Sequence, residues 1–202
     1  MPSVYQLKPA FQALLRPLIG GLVRLGMTAN MVTIAALLLS LAVGGTIAFR
    51  PSAGWPLLLL PATLFVRMAL NAIDGMMARE HNQTSRLGAV LNELGDAVSD
   101  AALYLPLGLV PGVEPRLLAP AVVLAVVSEM TGVVAVQIGA QRRYDGPMGK
   151  SDRAFVFGVV GLLLGLGVPA GRWLDVVLAL VLALLVLTVV NRAKRALAEV
   201  GE

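Results

Sequence analysis

Stretches of about 20 mostly apolar residues recur along the chain, separated by short segments that contain glycine and proline. Apolar stretches of this length predict transmembrane helices, because about 20 residues of α-helix cross the hydrocarbon core of a bilayer. The pattern predicts six spans, at residues 30–49, 55–78, 87–110, 117–140, 154–170 and 174–190. The predicted fold class is therefore all-α, an integral membrane protein with six transmembrane helices.

The first 25 residues follow a different pattern. Apolar residues recur at helical spacing among charged and polar ones, and the apolar stretch between Arg16 and Arg24 is too short to span a membrane. This pattern predicts an amphipathic helix in the membrane interface, with a loose terminal tail as the alternative. Pro9 and Pro17 are expected to break this helix into pieces. The predicted domains are an interfacial segment, 1–25, and a six-helix membrane domain, 26–202.

The composition is that of a membrane protein, since 57% of the 202 residues are hydrophobic and 14% are charged, against about 25% charged in soluble domains. The absence of cysteine and the single histidine exclude disulfide scaffolds and disfavour zinc sites. Twelve of the sixteen Lys and Arg residues fall on the side that holds both termini, and three fall on the other side. This asymmetry predicts cytoplasmic termini in a bacterial-type inner membrane, and it explains the net charge of +4 without a nucleic acid partner.

The third predicted span carries three acids, Glu93, Asp96 and Asp100. Each acid at the centre of a membrane helix costs about 3 kcal/mol, so three acids that faced lipid would cancel most of the insertion energy of the span. At 100° per residue the acids share one face with Asn92, while apolar residues occupy the opposite face. The span therefore presents a polar face to something other than lipid.

The second predicted span has a matching polar face that includes Arg67, Asn71 and Asp74. Because the loop between the two spans is short, their polar faces are expected to meet and form an acidic cavity near the cytoplasmic ends. Oxygen ligands of this kind suit Mg²⁺, Mn²⁺ or Ca²⁺ rather than zinc. The alternative is that these residues only pair among themselves, with Arg67 neutralising Asp74.

The two polar faces carry a motif of fixed spacing, Asn71-x2-Asp74-Gly75-x2-Ala78-Arg79-x8-Gly88-x3-Asn92-x3-Asp96. This motif resembles the signature of the CDP-alcohol phosphatidyltransferases, D-x2-D-G-x2-A-R-x8-G-x3-D-x3-D. The spacing agrees throughout. Asparagine replaces aspartate at the first and third acidic positions. Residues 82–86 resemble phosphatidylglycerophosphate synthase-like members of that family.

The resemblance implies a divalent cation, Mg²⁺ or Mn²⁺, as cofactor. Family members hold two cations with four aspartates, and the last aspartate is the proposed base. By position, the metal-site residues here are Asn71, Asp74, Asn92 and Asp96, and the general base is Asp96. Because two negative charges are missing, we expect one cation or weaker binding. Glu93 and Asp100, which lie on the same face, are the candidates for supplying the missing charge.

The resemblance also suggests how the substrates bind. The residues expected to contact the nucleotide are Gly75, Ala78, Arg79 and Gly88. Close packing of helices is the alternative explanation of the small residues, and positive-inside charge is the alternative for the arginine. The residues expected to bind a phosphate on the acceptor are Lys150, Ser151, Arg153 and Arg192. Positive-inside charge and a helix cap explain this last group equally well.

The predicted function is transfer of a phosphatidyl group from CDP-diacylglycerol to a small polar alcohol, with release of CMP, in phospholipid biosynthesis. Glycerol 3-phosphate, serine and inositol phosphate are candidate acceptors. The alternatives are a catalytically weak or inactive CDP-lipid-binding homologue and, less favoured, a small proton-coupled transporter. The family resemblance implies a homodimer, and a small-residue face at Gly158, Gly161 and Gly165 either packs within the chain or joins two copies.

Overall fold

The computed structural model describes residues 4–201, with side chains from Phe11 onward. Within that range it contains seven α-helices and one 3₁₀ helix. The α-helices are α1 Val4–Arg24, α2 Ala29–Phe49, α3 Gly54–Glu80, α4 Arg86–Tyr104, α5 Pro115–Gln137, α6 Lys150–Gly165 and α7 Arg172–Val200. The 3₁₀ helix, Leu105–Leu109, continues α4. The predicted all-α fold is confirmed for these residues.

Four of the helices, α2, α3, α5 and α7, are long and apolar enough to cross a membrane. The protein is therefore an integral membrane protein. The predicted spans at 87–110 and 154–170 correspond to α4 with its 3₁₀ extension and to α6. Because α4 carries acids and α6 has only 16 residues, or about 24 Å of helix, six crossings stay a prediction.

Helix α1 is continuous from Val4 to Arg24, so the prediction that Pro9 and Pro17 break it was wrong. Leu15 and Ile19 are buried in an apolar cluster with residues from the start of α2 and the end of α3. These contacts on both sides of Pro17 hold the helix together, against a cost of roughly 3 kcal/mol for a proline in a helix interior. The position of α1 in the membrane interface stays a prediction.

The loops collect at two ends of the helical bundle. The backbone N–H of Ala29, at the start of α2, donates a 2.7 Å hydrogen bond to Gln83 in the α3–α4 loop. Arg143 in the α5–α6 loop lies 2.7 Å from Glu199 near the end of α7. Gly112, in the α4–α5 connection, instead lies against the α6–α7 loop. The α3–α4 loop, the α5–α6 loop and the last turns of α7 lie at one end, called here the basic end.

The main helix contacts involve α2, α3 and α5. Helix α2 packs against α3 and α4, α3 packs against α6, and α5 packs against α7. The largest apolar cluster draws on six α-helices, α2 to α7, and includes Ile47, Leu60, Leu103, Leu118 and Phe157. Because α3 ends and α4 begins at the basic end, the polar face of α3 lies in the half nearest that end, and the polar face of α4 extends past the middle of the helix to Asp100.

The small-residue face of α6 is used within the chain. A Cβ atom at Gly161 would lie 2.8 Å from Leu60 Cδ2, and one at Gly165 would lie 2.7 Å from Leu58 Cδ2. Both neighbours belong to α3, so the glycines allow α6 and α3 to approach closely. Of the two uses predicted for this face, packing within the chain is the one observed.

Gly44 marks a close approach between α2 and α4. A Cβ atom there would lie 1.9 Å from the backbone oxygen of Ala102, whereas a Cβ atom at the neighbouring Gly45 would meet nothing within 4 Å. Because the contact is with backbone, no side-chain movement relieves it.

We expect Gly44→Ala to destabilise the protein by about 2 kcal/mol through overpacking. For a chain of this size that corresponds to a fall in melting temperature of roughly 5 °C, measured by thermal unfolding of the purified protein in detergent. Gly45→Ala is the matched control and is expected to leave the melting temperature unchanged or slightly raised, because alanine favours the helix. Equal melting temperatures for the two variants would contradict this account of α2–α4 packing.

Candidate active site

The polar faces of α3 and α4 lie against each other, as their residues predict. Asn71 Nδ2 donates a 3.1 Å hydrogen bond to Asp96 Oδ1, and Arg67 Nη2 lies 2.6 Å from Asp100 Oδ1. Arg67 therefore pairs with an acid of α4 rather than with an acid on its own helix. On the opposite side of α4, Leu94 is exposed, as expected for a side chain that faces lipid. The two helices thus enclose a polar interior.

Seven of the eight motif positions line one cavity of about 390 Å³ at the basic end. We call this space the motif cavity. The motif residues in its wall are Asn71, Asp74, Gly75, Ala78, Arg79, Gly88 and Asn92. Thr33, from α2, lines the same cavity and donates a 2.7 Å hydrogen bond to Asp74 Oδ2. The motif therefore describes one continuous surface made by two helices.

The two glycines of the motif cavity differ in how closely they are packed. Ser85 caps α4 by accepting a 2.9 Å hydrogen bond from the backbone N–H of Gly88. A Cβ atom at Gly88 would lie 2.8 Å from Asn30 Oδ1, at the start of α2. A Cβ atom at Gly75 would lie 3.2 Å from the guanidinium of Arg79. At Gly88 a Cβ atom would force Asn30 to shift, whereas at Gly75 the flexible end of the Arg79 side chain could move aside. Close packing thus accounts for Gly88 only, and contact of either glycine with a nucleotide stays a proposal.

A second cavity, of about 360 Å³, lies between α4, α5 and the segment that leads into α6. We call it the loop cavity. Asn92 lines both cavities, and Asp96 lines the loop cavity. Lys150 Nζ contacts Asp96 Oδ1, and 21% of the Asp96 side chain is exposed. Asp96 therefore lies in the loop cavity, one helical turn from Asn92, the residue that borders both cavities.

The four residues predicted to bind the acceptor lie at different depths. Lys150, Ser151 and Arg192 line the loop cavity. Arg153 is only 1% exposed, and its guanidinium is held between two acids behind the cavity. Arg192 is 2% exposed and donates a hydrogen bond to the backbone oxygen of Asp145. Lys150 and Ser151 are thus the members of this group most accessible to a ligand.

A network of buried ion pairs joins the helices beneath the cavities. Arg153 Nη2 lies 2.9 Å from Asp100 Oδ2 and 3.0 Å from Glu129 Oε1, and Arg67 contacts the other oxygen of Asp100. Arg192 Nη1, on α7, lies 3.5 Å from Glu129 Oε2. Asp100, a candidate for supplying missing charge at the metal site, is therefore already neutralised by two arginines.

Glu93, the second such candidate, is paired with Arg142 in the α5–α6 loop. Arg142 Nη2 lies 2.6 Å from Glu93 Oε2 and 3.2 Å from Glu129 Oε2. Burial alone would lower the pKa of Arg142. The hydrogen bond and negative charge of Glu93 raise it by more, so the pKa of Arg142 lies above its ordinary value. In the sequence, Glu129 stands out as an isolated acid in a predicted span. Its pairing with Arg142 could not be predicted, because no spacing rule relates it to residues of the loop.

The α5–α6 loop is fastened to α7 through Asp145. Its carboxylate lies 2.7 Å from Arg143 Nε and 2.5 Å from Arg195 Nη1. Partial burial raises the pKa of Asp145, but the hydrogen bonds from these two guanidinium groups outweigh it and hold the pKa below its ordinary value. Asp145 therefore stays ionised near neutral pH, and the loop that borders the second cavity keeps its position.

The donor atoms at the predicted metal positions fit a hard divalent cation. Asp74 and Asp96 offer carboxylate oxygens, and Asn71 and Asn92 offer amide oxygens, which are the ligand types that Mg²⁺ and Mn²⁺ accept. Within residues 11–201, no three His, Cys, Asp or Glu side chains form a group that could hold a metal ion. Amide oxygens are thus needed to complete a protein coordination shell.

The chain belongs to the CDP-alcohol phosphatidyltransferase family, whose model matches residues 26–194. It is an enzyme of that family, and the family uses divalent cations. The inner membrane protein YnbA of Escherichia coli K12 is 44% identical over 197 residues, which are 96% of each chain. Phosphatidylinositol phosphate synthase of Mycobacterium marinum is 32% identical over 123 residues, or 60% of this chain and 51% of that protein.

Two solved structures of Mycobacterium tuberculosis phosphatidylinositol phosphate synthase share the fold. The structure with CDP-DAG bound has a TM-score of 0.77 at 24% identity, and the match covers 92% of this chain and 94% of that one. The complex with manganese and citrate has the same TM-score and identity, with coverage of 92% and 90%. The arrangement of helices described above is therefore that of the family.

We expect Arg153→Met to destabilise the protein by about 3 kcal/mol, because it leaves buried carboxylates without one of their cations. The melting temperature in detergent should fall by roughly 10 °C. Arg116→Met, which removes an exposed arginine at the opposite end of the bundle, is the control and should change it by no more than about 1 °C. A small change in the first variant, equal to that of the control, would mean that the buried network does not hold the helices together.

Proposed function

We propose that this enzyme transfers a phosphatidyl group from CDP-diacylglycerol to a small polar alcohol, with release of CMP, in phospholipid biosynthesis. The observation that carries the proposal is the placement of the motif. Seven motif residues line a single cavity, and the eighth, Asp96, lines a second cavity that shares Asn92 with the first. A reaction between a nucleotide-linked lipid and an alcohol needs two such adjoining spaces.

The motif cavity is the proposed site of the CDP group. Gly75, Ala78 and Gly88 keep its wall close to the helix backbones, which leaves room for a flat base and a ribose. Arg79, at the end of α3, is placed to pair with phosphate. The lipid part of the donor would extend from this end of the bundle into the bilayer.

The proposed cation site consists of Asn71, Asp74, Asn92 and Asp96. A divalent cation bound there would neutralise the charge that develops on the diphosphate as CMP leaves. These residues would hold the diphosphate near Asn92, which borders both cavities. Asp74 is anchored for this task by its hydrogen bond from Thr33.

Asp96 is the proposed general base. Its carboxylate lies in the wall of the loop cavity, where it can accept the proton of an acceptor hydroxyl before that oxygen attacks the β-phosphorus. The Asn71 N–H and the Lys150 ammonium hold the carboxylate in place.

The loop cavity is the proposed acceptor site. Lys150 and Ser151 are the side chains best placed to bind a phosphate on the acceptor, and Arg192 adds positive charge from α7. Arg153 would support the site from behind, through the acids of the network. Glycerol 3-phosphate and inositol phosphate fit a basic site of this kind, and serine tests the need for a phosphate.

We further propose that both termini and the active site lie on the cytoplasmic side of an inner membrane, as the charge asymmetry predicts. The proposed assembly is a homodimer in the bilayer. Because Gly161 and Gly165 contact α3 in the same chain, the dimer would have to use another surface.

The experiment that tests the proposed reaction is a CMP-release assay with CDP-diacylglycerol, Mg²⁺ or Mn²⁺, and a panel of alcohols. We expect CMP release that depends on one acceptor, together with a lipid product that contains that acceptor. CDP-diacylglycerol binding without turnover for any acceptor would support an inactive lipid-binding homologue. Ion flux into vesicles without CMP release would support a transporter.

Asp96→Asn is expected to lower the rate of CMP release about a hundredfold or more, because it removes the base while keeping the shape of the side chain. Asp175→Asn, at the start of α7 and far from both cavities, is the control and should retain the rate of the unmodified enzyme. Both variants should elute as folded protein in size-exclusion chromatography. Full activity of Asp96→Asn would remove Asp96 from the role of base.

A further inference from the structure

The two carboxylates of the proposed cation site have different electrostatic surroundings. Asp74 is 5% exposed and accepts a hydrogen bond from the Thr33 hydroxyl, and no basic side chain among residues 11–201 forms an ion pair with it. Asp96 Oδ1 contacts the Lys150 ammonium and lies 3.7 Å from Arg67 Nη2. A cation is therefore attracted to Asp74, whereas at Asp96 it would have to displace an ammonium group.

Asn71 lies between Asp74 and Asp96. Its amide N–H₂ group donates to Asp96 Oδ1, so its carbonyl oxygen is free to face the motif cavity, which Asn71 and Asp74 both line. An aspartate at this position would offer oxygens in both directions and suit a cation on either side. An asparagine offers an oxygen on one side only and a hydrogen-bond donor on the other.

The neighbouring acids do not restore the missing charge. Asp100 is held by Arg67 and Arg153, and Glu93 is held by Arg142. Neither carboxylate is available to a second metal ion without breaking an ion pair.

We propose that this active site holds a single divalent cation, at Asp74, and that the Lys150 ammonium occupies the place of a second cation at Asp96. The inference rests on the proposed function and specifies its cation site. Lys150, at the first position of α6, supplies a fixed positive charge on the acceptor side of the reacting phosphate. The exchangeable cation lies on the nucleotide side.

The test is the number of Mn²⁺ ions bound by the full-length protein in nanodiscs, measured by EPR titration in the presence of CDP. We expect one Mn²⁺ per chain in the unmodified protein, with the spectrum of an isolated ion. The variant Asn71→Asp/Asn92→Asp/Lys150→Met should bind two Mn²⁺ ions per chain with a spin-coupled spectrum. The single variant Lys150→Met, which disturbs the protein less, should gain a second and weaker Mn²⁺ site.

Lys194→Met removes an exposed lysine of α7 and is the control, which should bind one Mn²⁺ ion as the unmodified protein does. Two coupled Mn²⁺ ions in the unmodified protein would overturn the inference. A count of one in Lys150→Met would overturn it as well, even if the triple variant bound two ions, because Lys150 would then not be what excludes the second ion.

The same titration separates this inference from the proposed function. If the unmodified protein binds one Mn²⁺ ion and no acceptor supports CMP release, the transferase proposal fails and the single-cation site stands. If no variant binds Mn²⁺, both the single cation and the cation site on which it rests are wrong.

Discussion

The structure depends on the need to neutralise charges that are buried inside a membrane protein. An unpaired charge in such a place costs several kcal/mol, so each buried acid must find a cation or water. Here Asp100 and Glu129 bind Arg67 and Arg153 across four helices. If α3, α4, α5 and α6 were arranged so that these groups were separated, each charge would be buried without a partner and the folded state would lose that free energy. The ion pairs therefore fix how the polar faces of the bundle meet.

The same network decides which polar residues remain available to a ligand. Asp100 and Glu93 lie on the same face of α4 as the motif residues, but their charges are already matched by arginines within the protein. Asp74, by contrast, faces the motif cavity without an ion-pair partner among the described side chains. At the loop cavity, the Lys150 ammonium reaches Asp96 from the start of α6. The site is thus divided into a side that attracts a cation and a side that already has one.

Much of this organisation could be predicted from the sequence, because membrane helices leave a strong signal. The helical periodicity placed the acids of α4 on one face, and the motif spacing brought Asn71 and Asp96 together. Continuity of α1 through Pro17 could not be predicted, since it depends on burial of distant residues. The partners of Glu93 and Asp100 were also beyond reach, because arginines from a loop and from α6 approach them only in the folded bundle. Periodicity describes the faces of a helix but not what packs against them.

The central claim is that α3 and α4 jointly hold a cation that steadies the diphosphate of a CDP-lipid. The most direct test is anomalous diffraction from crystals grown with Mn²⁺ and CDP-diacylglycerol. The account predicts a manganese peak beside the Asp74 carboxylate, with the diphosphate next to it and the cytidine in the motif cavity. Nucleotide density elsewhere, or a motif cavity without manganese in crystals that contain bound CDP-diacylglycerol, would contradict it.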